Sequence, residues 1–257
     1  MVRPHYFQSP KAVSHLVAET TLHSQAKDPD DLNLDLAWRI GERNFEHLVQ
    51  AIAQVVPRVI VEFGAGASSI RLSRAFKESQ VLSIEHDAEY FLKAKQMQLR
   101  HAAKNLCIQR RRLVWQFHGL CIYQSYRRAK LPKVIDAIII DGPPYFTFMG
   151  REACLYQAYK QLRVGGVVIL DDSDRAAETK YIENWLLRYP GSLRRLHLSE
   201  NLRLGILLKK RHVRGRTFGW HLIQNYSCFV SRIYNGPFVV RIRKLYVGAK
   251  KYFRVTP

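Results

Sequence analysis

The sequence predicts an α/β fold with a doubly wound, mostly parallel sheet and an antiparallel edge strand. Short, almost wholly apolar segments alternate with longer amphipathic segments, which is typical of parallel strands covered by helices on both faces. The last two predicted strands are joined too tightly for a parallel crossover, so an antiparallel pair is expected there. The same pattern divides the chain into an N-terminal leader at 1–35, an α/β domain at 36–209 and an extension at 210–257.

The first half of the domain predicts two strands, each flanked by helices. Apolar residues recur at three- and four-residue spacing after Ala37, which predicts an amphipathic helix that ends at Pro57. The elements predicted after it are a strand at 58–63, a helix at 68–77, a strand at 81–87 and a helix at 88–104.

The second half predicts a sequence of strands and helices that closes the sheet. Two candidate strands, 106–110 and 113–117, flank a run of three arginines in the least patterned part of the domain. The later predicted elements are a strand at 134–141, a helix at 150–162, a turn at Gly165-Gly166, a strand at 167–172, a helix at 175–189, and strands at 193–199 and 202–209 joined by a turn at Glu200-Asn201.

Composition predicts a globular protein with an unusual positive charge. With 257 residues, 47% of them apolar, the chain can bury a sizeable core, which excludes a disordered protein. The net charge of +20 favours anionic partners such as nucleic acid, anionic lipid or an acidic substrate. Twelve of the 41 Lys/Arg residues and none of the 21 acidic residues follow residue 208, so the extension carries most of the excess.

The cysteines and the N-terminus favour a cytoplasmic protein. The four cysteines form no C-x-x-C pair and no zinc-ligand spacing, so we expect reduced thiols in a reducing compartment. The N-terminus has no apolar core typical of a signal peptide, and no apolar run is long enough to span a membrane. We therefore expect a cytoplasmic location, with peripheral attachment to a membrane as an option that the basic extension leaves open.

A glycine turn follows the first strand and precedes a helix. Gly64-Ala65-Gly66 lets a ligand approach the backbone closely, and the helix that begins near Ser68 offers unpaired N–H groups to an anion. The turn lacks the third glycine of the dinucleotide-binding G-x-G-x-x-G pattern. A strand-to-helix turn with no ligand would show the same local pattern.

Polar residues also gather where the predicted strands end, which is where parallel sheets bind ligands. They are Glu62–Gly66, Glu85–Asp87, Asp141–Tyr145 and Asp171–Asp174. Glu85 lies 19 residues after Gly66, a spacing that suits a carboxylate accepting both hydroxyls of a ribose. The alternative role for this carboxylate, capping the next helix, fits Asp87 better.

Four motifs in this order resemble class I S-adenosylmethionine (SAM)-dependent methyltransferases, over about residues 36–209. They are Glu62–Ser68, Ser83–Asp87, Ile140–Pro144 and Gly165–Asp172. The resemblance implies a Rossmann-like seven-stranded sheet, SAM as the cofactor and methyl transfer as the activity.

The resemblance also assigns residues to the cofactor. It implies that Glu62, Gly64 and Gly66 hold the methionine end of SAM and that Glu85 holds its ribose. The predicted cofactor site further includes Ser68, His86 and Asp141. Family members often carry an acidic or polar residue after the third strand that meets the adenine. The candidate region here, 116–119, contains no acid.

Three aspartates at two neighbouring strand ends form a candidate metal site. Asp141, Asp171 and Asp172 supply the hard oxygen ligands that Mg²⁺ prefers. The arrangement resembles the cation-dependent O-methyltransferases, including the catechol and macrolide-sugar types, in which a metal brings a substrate hydroxyl to the methyl donor and lowers its pKa. Alternatively, Asp141 orients the donor while Asp172 or Ser173 caps the next helix.

The loop after the predicted strand at 134–141 carries residues that are candidates for contact with the methyl acceptor. Its sequence, Gly142-Pro143-Pro144-Tyr145, is similar to the (Asp/Asn)-Pro-Pro-(Tyr/Phe) motif of amino-methyltransferases, but glycine stands where the polar residue should be. We predict Asp141 and Tyr145 as catalytic residues. Tyr145, Phe146 and Phe148 either wall an acceptor pocket or form hydrophobic cover for the site. His86 and His118 are candidate general bases.

The predicted function is SAM-dependent O-methylation of a small-molecule or glycan-type acceptor. The alternatives are an RNA methyltransferase, and a non-catalytic basic protein of methyltransferase-like fold that binds membrane or nucleic acid. In the extension, basic residues interleave with aromatic ones, a pattern that suits an anionic membrane surface or a nucleic-acid backbone. No RNA-recognition signature is present in the sequence, so membrane or partner docking is slightly favoured.

Overall fold

A computed structural model describes residues 40–119, 121–196 and 202–215. The helices are α1 (Glu42–Ala53), α2 (Ala67–Ala75), α3 (Ala88–Arg100), α4 (Gly150–Ala158) and α5 (Ala176–Arg188). The strands are β1 (Val59–Phe63), β2 (Gln80–Glu85), β3 (Leu106–Arg110), β4 (Leu113–His118), β5 (Cys121–Tyr126), β6 (Ile135–Ile140), β7 (Leu162–Leu170), β8 (Leu193–Leu196) and β9 (Gly205–Lys209). Among the described residues, none of the helices is both long and apolar enough to cross a bilayer.

Seven strands form one mixed sheet in the order β3-β2-β1-β6-β7-β9-β8. The neighbours from β3 to β7 pair in parallel, and β9 runs antiparallel to both β7 and β8. The predicted sheet and its antiparallel strand are thus confirmed, with β9 inserted one position in from the edge. Strand order reverses between β1 and β6, which makes their carboxyl ends the switch point where such sheets bind ligands.

The sheet is covered on both faces, and its central strands are mostly apolar, with Glu62 in β1 and Asp136 in β6 as buried exceptions. All six residues of β6 are buried. Ile138 and Ile140 face a core that includes Trp185 of α5, whereas Ile139 faces a second core that includes Leu48 of α1. Continuous apolar strands are therefore explained by burial of alternate side chains in two cores.

A carboxylate fastens the amino ends of β1 and β6 together. Asp136 Oδ2 accepts hydrogen bonds from the backbone N–H groups of Arg58 at 2.9 Å and Val59 at 2.8 Å. Its other oxygen pairs with the Arg163 guanidinium, which also donates to the Val55 carbonyl at 2.6 Å. Burial raises the pKa of Asp136, but these bonds outweigh burial and bring its pKa below the ordinary value of 3.8.

The structure corrects two local predictions. Gly165-Gly166 was expected to form a turn, but both glycines lie inside β7. A side chain at Gly166 would come within 2.8 Å of the Asp136 carbonyl oxygen, so the glycine permits close strand packing instead. The second correction concerns the adenine region. The third sheet strand is β3, so the segment 116–119 does not follow it and belongs to a separate β4–β5 hairpin.

The described start of the extension packs on the domain. Lys209 ends β9 with its side chain buried, and its ammonium donates to the carbonyls of Tyr159 at 2.9 Å and Leu162 at 2.5 Å. The next residues continue this contact, since Lys210 N–H donates to the Ser192 carbonyl at 2.6 Å. The predicted leader, the turn at 200–201 and the extension beyond residue 215 lie outside the described residues.

We predict that Asp136→Asn lowers the free energy of unfolding at pH 7 by about 1.5–3 kcal/mol, the worth of hydrogen bonds to a charged group. Because the folded-state pKa is depressed, the stabilisation is complete above the ordinary value of 3.8 and is lost as the pH falls through the folded value. Urea unfolding at pH 7 and below pH 4 should show the difference from wild type shrinking on acidification. Glu183→Gln, at a half-exposed i,i+3 ion pair, should change stability by less than about 0.5 kcal/mol at both pH values. A constant Asp136→Asn deficit across this range would contradict the assignment.

Candidate active site

A cavity of about 430 Å³ opens at the carboxyl ends of β1, β2, β6 and β7. It lies at the switch point of the sheet, and its volume is in the range of small-molecule sites. The predicted site residues on its wall are Gly64, Gly66, Ser68, Glu85, His86, Asp141, Asp171 and Asp172. The structure therefore brings together eight residues that lie far apart in sequence. Two other predicted residues, Glu62 and Tyr145, are not on the wall.

The first glycine of the turn is required by the fold. Gly64 has a φ of +104°, and a side chain there would lie 2.9 Å from the backbone nitrogen of Gly142. Gly142 is equally confined, because a side chain on it would meet the Tyr126 hydroxyl at 2.2 Å and Gly64 Cα at 3.0 Å. This crowding explains why glycine replaces the polar residue of the amino-methyltransferase motif.

The second glycine of the turn has no such structural reason. Gly66 has an extended backbone with a φ of −173°, which any residue can adopt. A Cβ atom built on it meets no atom within 4 Å, although the residue lines the cavity. The missing side chain leaves open space directly beside the N-terminus of α2, where a ligand can approach the backbone.

Glu62 lies behind the glycine turn and does not line the cavity. Its side chain is fully buried, and its carboxylate accepts hydrogen bonds from the hydroxyls of Ser68 at 2.6 Å, Ser69 at 2.5 Å and Ser83 at 2.6 Å. Burial raises the pKa of Glu62 despite these three bonds. The expectation that Glu62 contacts the cofactor directly is corrected, since the carboxylate links β1, β2 and α2.

Glu85 joins the end of β2 to the glycine turn. Its Oε2 accepts from Ala65 N–H at 3.1 Å, and its Oε1 accepts from the backbone N–H groups of His86 at 2.6 Å and Asp87 at 2.8 Å. The His86 ring nitrogen Nδ1 lies 2.8 Å from the same Oε1. The carboxylate is thus fixed on the cavity wall, while Oε2 still has lone-pair capacity for a ligand hydroxyl.

Asp87, as predicted, caps the helix that follows. Its side chain accepts from Glu89 N–H at 2.8 Å and Tyr90 N–H at 2.9 Å at the start of α3. This leaves Glu85 free of the capping role.

The β4–β5 hairpin places Tyr126, which was not among the predicted site residues, on the cavity wall. Its side chain is fully buried and packs at 5.8 Å from the Phe63 ring. Within the described part of the chain its hydroxyl has no hydrogen-bond partner. Because buried hydroxyls are seldom left unpaired, this group points to a polar ligand atom in the cavity. No pattern in the sequence marks β5 as part of the site.

Three carboxylates meet at the ends of β6 and β7. One oxygen each of Asp141, Asp171 and Asp172 lies within 4.8 Å of the others. Burial and the neighbouring Asp171 raise the pKa of Asp141 well above its ordinary value, and burial and Asp172 raise the pKa of Asp171.

Guanidinium groups surround the same carboxylates. Arg151, buried in the first turn of α4, lies 3.5 Å from Asp141 and 3.2 Å from Asp172. Arg175 reaches Asp172 at 2.8 Å, and Arg203 pairs with its other oxygen. Asp172 has a left-handed backbone with a φ of +58°, a conformation that aspartate tolerates better than most residues.

Of the aromatic residues in the loop after β6 and on the β4–β5 hairpin, Phe146 and Tyr126 are the ones that line the cavity in the described structure. Phe146 lines the cavity, whereas Tyr145 is 60% exposed beside it, so the structure shows no cavity contact for Tyr145. Phe148 packs against Trp115 of β4 at 5.9 Å, and Trp115 and Phe117 are largely exposed on one face of the hairpin. The candidate base His118 lies away from the cavity wall, and burial lowers its pKa to about 4.

No protein-family model matches the chain, and no curated protein matches it. Several solved structures of methyltransferases do match its fold. An O-methyltransferase from Klebsiella pneumoniae shares 12% identity at a TM-score of 0.51, over 80% of this chain and 92% of its own. A protein described as a caffeoyl-CoA O-methyltransferase from Staphylococcus aureus shares 16% identity at a TM-score of 0.51, over 79% of this chain and 93% of its own. A methyltransferase from Podospora anserina, solved with S-adenosylhomocysteine (SAH), shares 11% identity at a TM-score of 0.52, over 80% of this chain and 91% of its own.

Identities this low support a likeness of fold. The match agrees with the strand order and with the position of the cavity at the switch point. The chain therefore has the Rossmann-like fold of the class I SAM-dependent O-methyltransferases.

Proposed function

We propose that this protein is a SAM-dependent methyltransferase that methylates a hydroxyl of a small-molecule or glycan-type acceptor. The observation that supports it most strongly is the convergence of Gly66, Glu85 and Asp141 on one cavity at the switch point. A dinucleotide would need a turn that cradles a pyrophosphate, and this turn lacks the third glycine for it.

The residues of the cavity suit SAM in both shape and polarity. Gly66 leaves room for the ligand beside the α2 N-terminus, and Glu85 offers a fixed carboxylate oxygen to ribose hydroxyls. The unpaired hydroxyl of Tyr126 supplies a further polar contact. When bound, SAM supplies an electrophilic methyl group; the chain itself holds the reactants and accepts a proton.

Asp141 is the candidate proton acceptor. It follows β6 on the cavity wall. Its raised pKa makes this carboxylate a stronger base than an ordinary aspartate. Its ion pair with Arg151 at 3.5 Å holds it in place. A hydroxyl acceptor needs such a group because it loses its proton as the methyl group is transferred.

Aromatic side chains at the cavity and on the hairpin offer apolar contacts for the acceptor. Phe146 lines the cavity, and a flat apolar face of the acceptor would pack against it while the acceptor hydroxyl enters the cavity. Trp115 and Phe117 are exposed on the hairpin and offer further apolar surface. Arg175 stands at the same rim, with its guanidinium 5.8 Å from the Tyr145 ring.

Replacing Gly66 by asparagine should block SAH binding without unfolding the protein. Asparagine is among the best N-cap residues, so the α2 terminus is maintained while the side chain fills the open space. We expect calorimetry to show SAH affinity at least about tenfold weaker, about 1.4 kcal/mol, with the unfolding free energy changed by less than about 1 kcal/mol. Gly64→Ala should instead cost stability, because of its positive φ and its backbone contact. Absence of SAH binding by the wild type would exclude the proposed function.

Asp141→Asn should remove activity while SAH binding is retained. Loss of the proton acceptor should lower kcat by about 100-fold or more. In the wild type, the rate should fall as the pH drops through the pKa of Asp141, which lies well above 3.8. Rate-versus-pH profiles of the two proteins with a hydroxyl acceptor found by screening test this. An unchanged acidic limb in Asp141→Asn would assign the proton acceptor elsewhere.

We also propose that the basic extension brings the enzyme to an anionic membrane surface. Neutralising Lys250, Lys251 and Arg254 together to glutamine should weaken binding to phosphatidylserine vesicles by about 100-fold, at about 1 kcal/mol per charge. The matched control neutralises three exposed charges of the domain, Lys77, Arg100 and Lys104. Co-sedimentation should show little effect of the control. Tight RNA binding with no vesicle binding would favour the nucleic-acid alternative instead.

A further inference from the structure

A buried guanidinium lies inside the acidic cluster of the active site. Arg151 is only 6% exposed, and its terminal nitrogens lie 3.5 Å from Asp141, 3.2 Å from Asp172 and 3.9 Å from Glu178. Burial lowers the pKa of Arg151, but these acids outweigh burial and raise it, so the group is a permanent cation.

Backbone groups of both acid-bearing loops fix this guanidinium. Its Nε donates to the Pro143 carbonyl at 3.1 Å, and its Nη1 donates to the Asp171 carbonyl at 3.3 Å. Nη1 also donates to Asp172 Oδ2 at 3.2 Å. The side chain therefore bridges the loop after β6 and the loop after β7, which is the position from which a metal ion would have to bind both.

The remaining oxygen of Asp172 is also taken. It pairs with Arg203, while Oδ2 pairs with Arg175 at 2.8 Å in addition to Arg151. Mg²⁺ requires six oxygen ligands at about 2.0–2.1 Å in near-octahedral geometry. Binding it here would break ion pairs of all three arginines and place a divalent cation within a few ångströms of a buried positive charge.

We propose that Arg151 is the resident cation of this site, and that the three aspartates bind no divalent metal while it is present. Arg151 is a positioning residue: it holds Asp141 and Asp172 and neutralises them in the way a metal would. Methyl transfer by this protein consequently needs no divalent cation, a consequence that rests on the proposed function.

Metal binding can be measured on the full-length protein without turnover. Titration with Mn²⁺, followed by the electron paramagnetic resonance signal of the free ion, should show no binding at the cluster in the wild type. Arg151→Met frees three carboxylates at the same position, so it should bind Mn²⁺ at least about tenfold more tightly than the wild type. Arg175→Met is the matched control; it also removes a cation from Asp172 but leaves Arg151, and it should behave as the wild type does.

The proposal is overturned if the wild type binds Mn²⁺ and Asp172→Asn abolishes that binding. It is also overturned if Arg151→Met, correctly folded, gains no affinity. Removing one partner of a buried ion pair is strongly destabilising, so this variant is prepared by refolding with and without Mn²⁺. Recovery of folded protein only with Mn²⁺ supports the proposal, and failure under both conditions counts against it.

An assay with excess EDTA completes the test. Activity that is unchanged by the chelator agrees with Arg151 as the resident cation, and activity lost to EDTA and restored by Mg²⁺ contradicts it. If the wild type shows neither metal binding nor SAH binding, the proposed function fails while the assignment of Arg151 stands.

Discussion

The active site depends on a close backbone contact between the ends of β1 and β6. Gly64 and Gly142 face each other so tightly that neither can carry a side chain. Their N–H groups bond across the strand ends, from Gly64 to the Ile84 carbonyl at 2.9 Å and from Gly142 to the Phe63 carbonyl at 2.7 Å. This contact sets how far the loops after β1 and β6 can separate, and so fixes where the cavity opens between them.

Buried charge organises the two sides of the cavity in different ways. Under the glycine turn, the carboxylate of Glu62 is satisfied by three serine hydroxyls, so a rigid turn is held without a counter-charge. At the ends of β6 and β7, carboxylates are balanced by arginines, above all by Arg151. One side of the cavity thus presents the glycine turn with the Glu85 carboxylate bonded to it, and the other presents carboxylates paired with arginines.

The β4–β5 hairpin is the part of the domain that stands outside the seven-stranded sheet. One of its faces packs on α4, where the Ser125 hydroxyl donates to the Gly150 carbonyl at 2.8 Å. The other face carries Tyr126 at the cavity and Trp115 and Phe117 in the open.

The sheet and the strand ends on the cavity wall could be predicted from the amino-acid sequence. Parallel strands bring their carboxyl ends to one edge of the sheet. Apolar strands that end in Gly64–Gly66, Glu85, Asp141 and Asp171 therefore predict that these residues lie close together. Roles that depend on contacts between distant elements follow only from the folded structure. There Glu62 is buried away from the cavity, Tyr126 lies on the cavity wall, and Arg151 lies among the aspartates. Sequence periodicity indicates which face of an element is buried, but not which partner a buried polar group meets, and here the partner of Asp141 and Asp172 is Arg151.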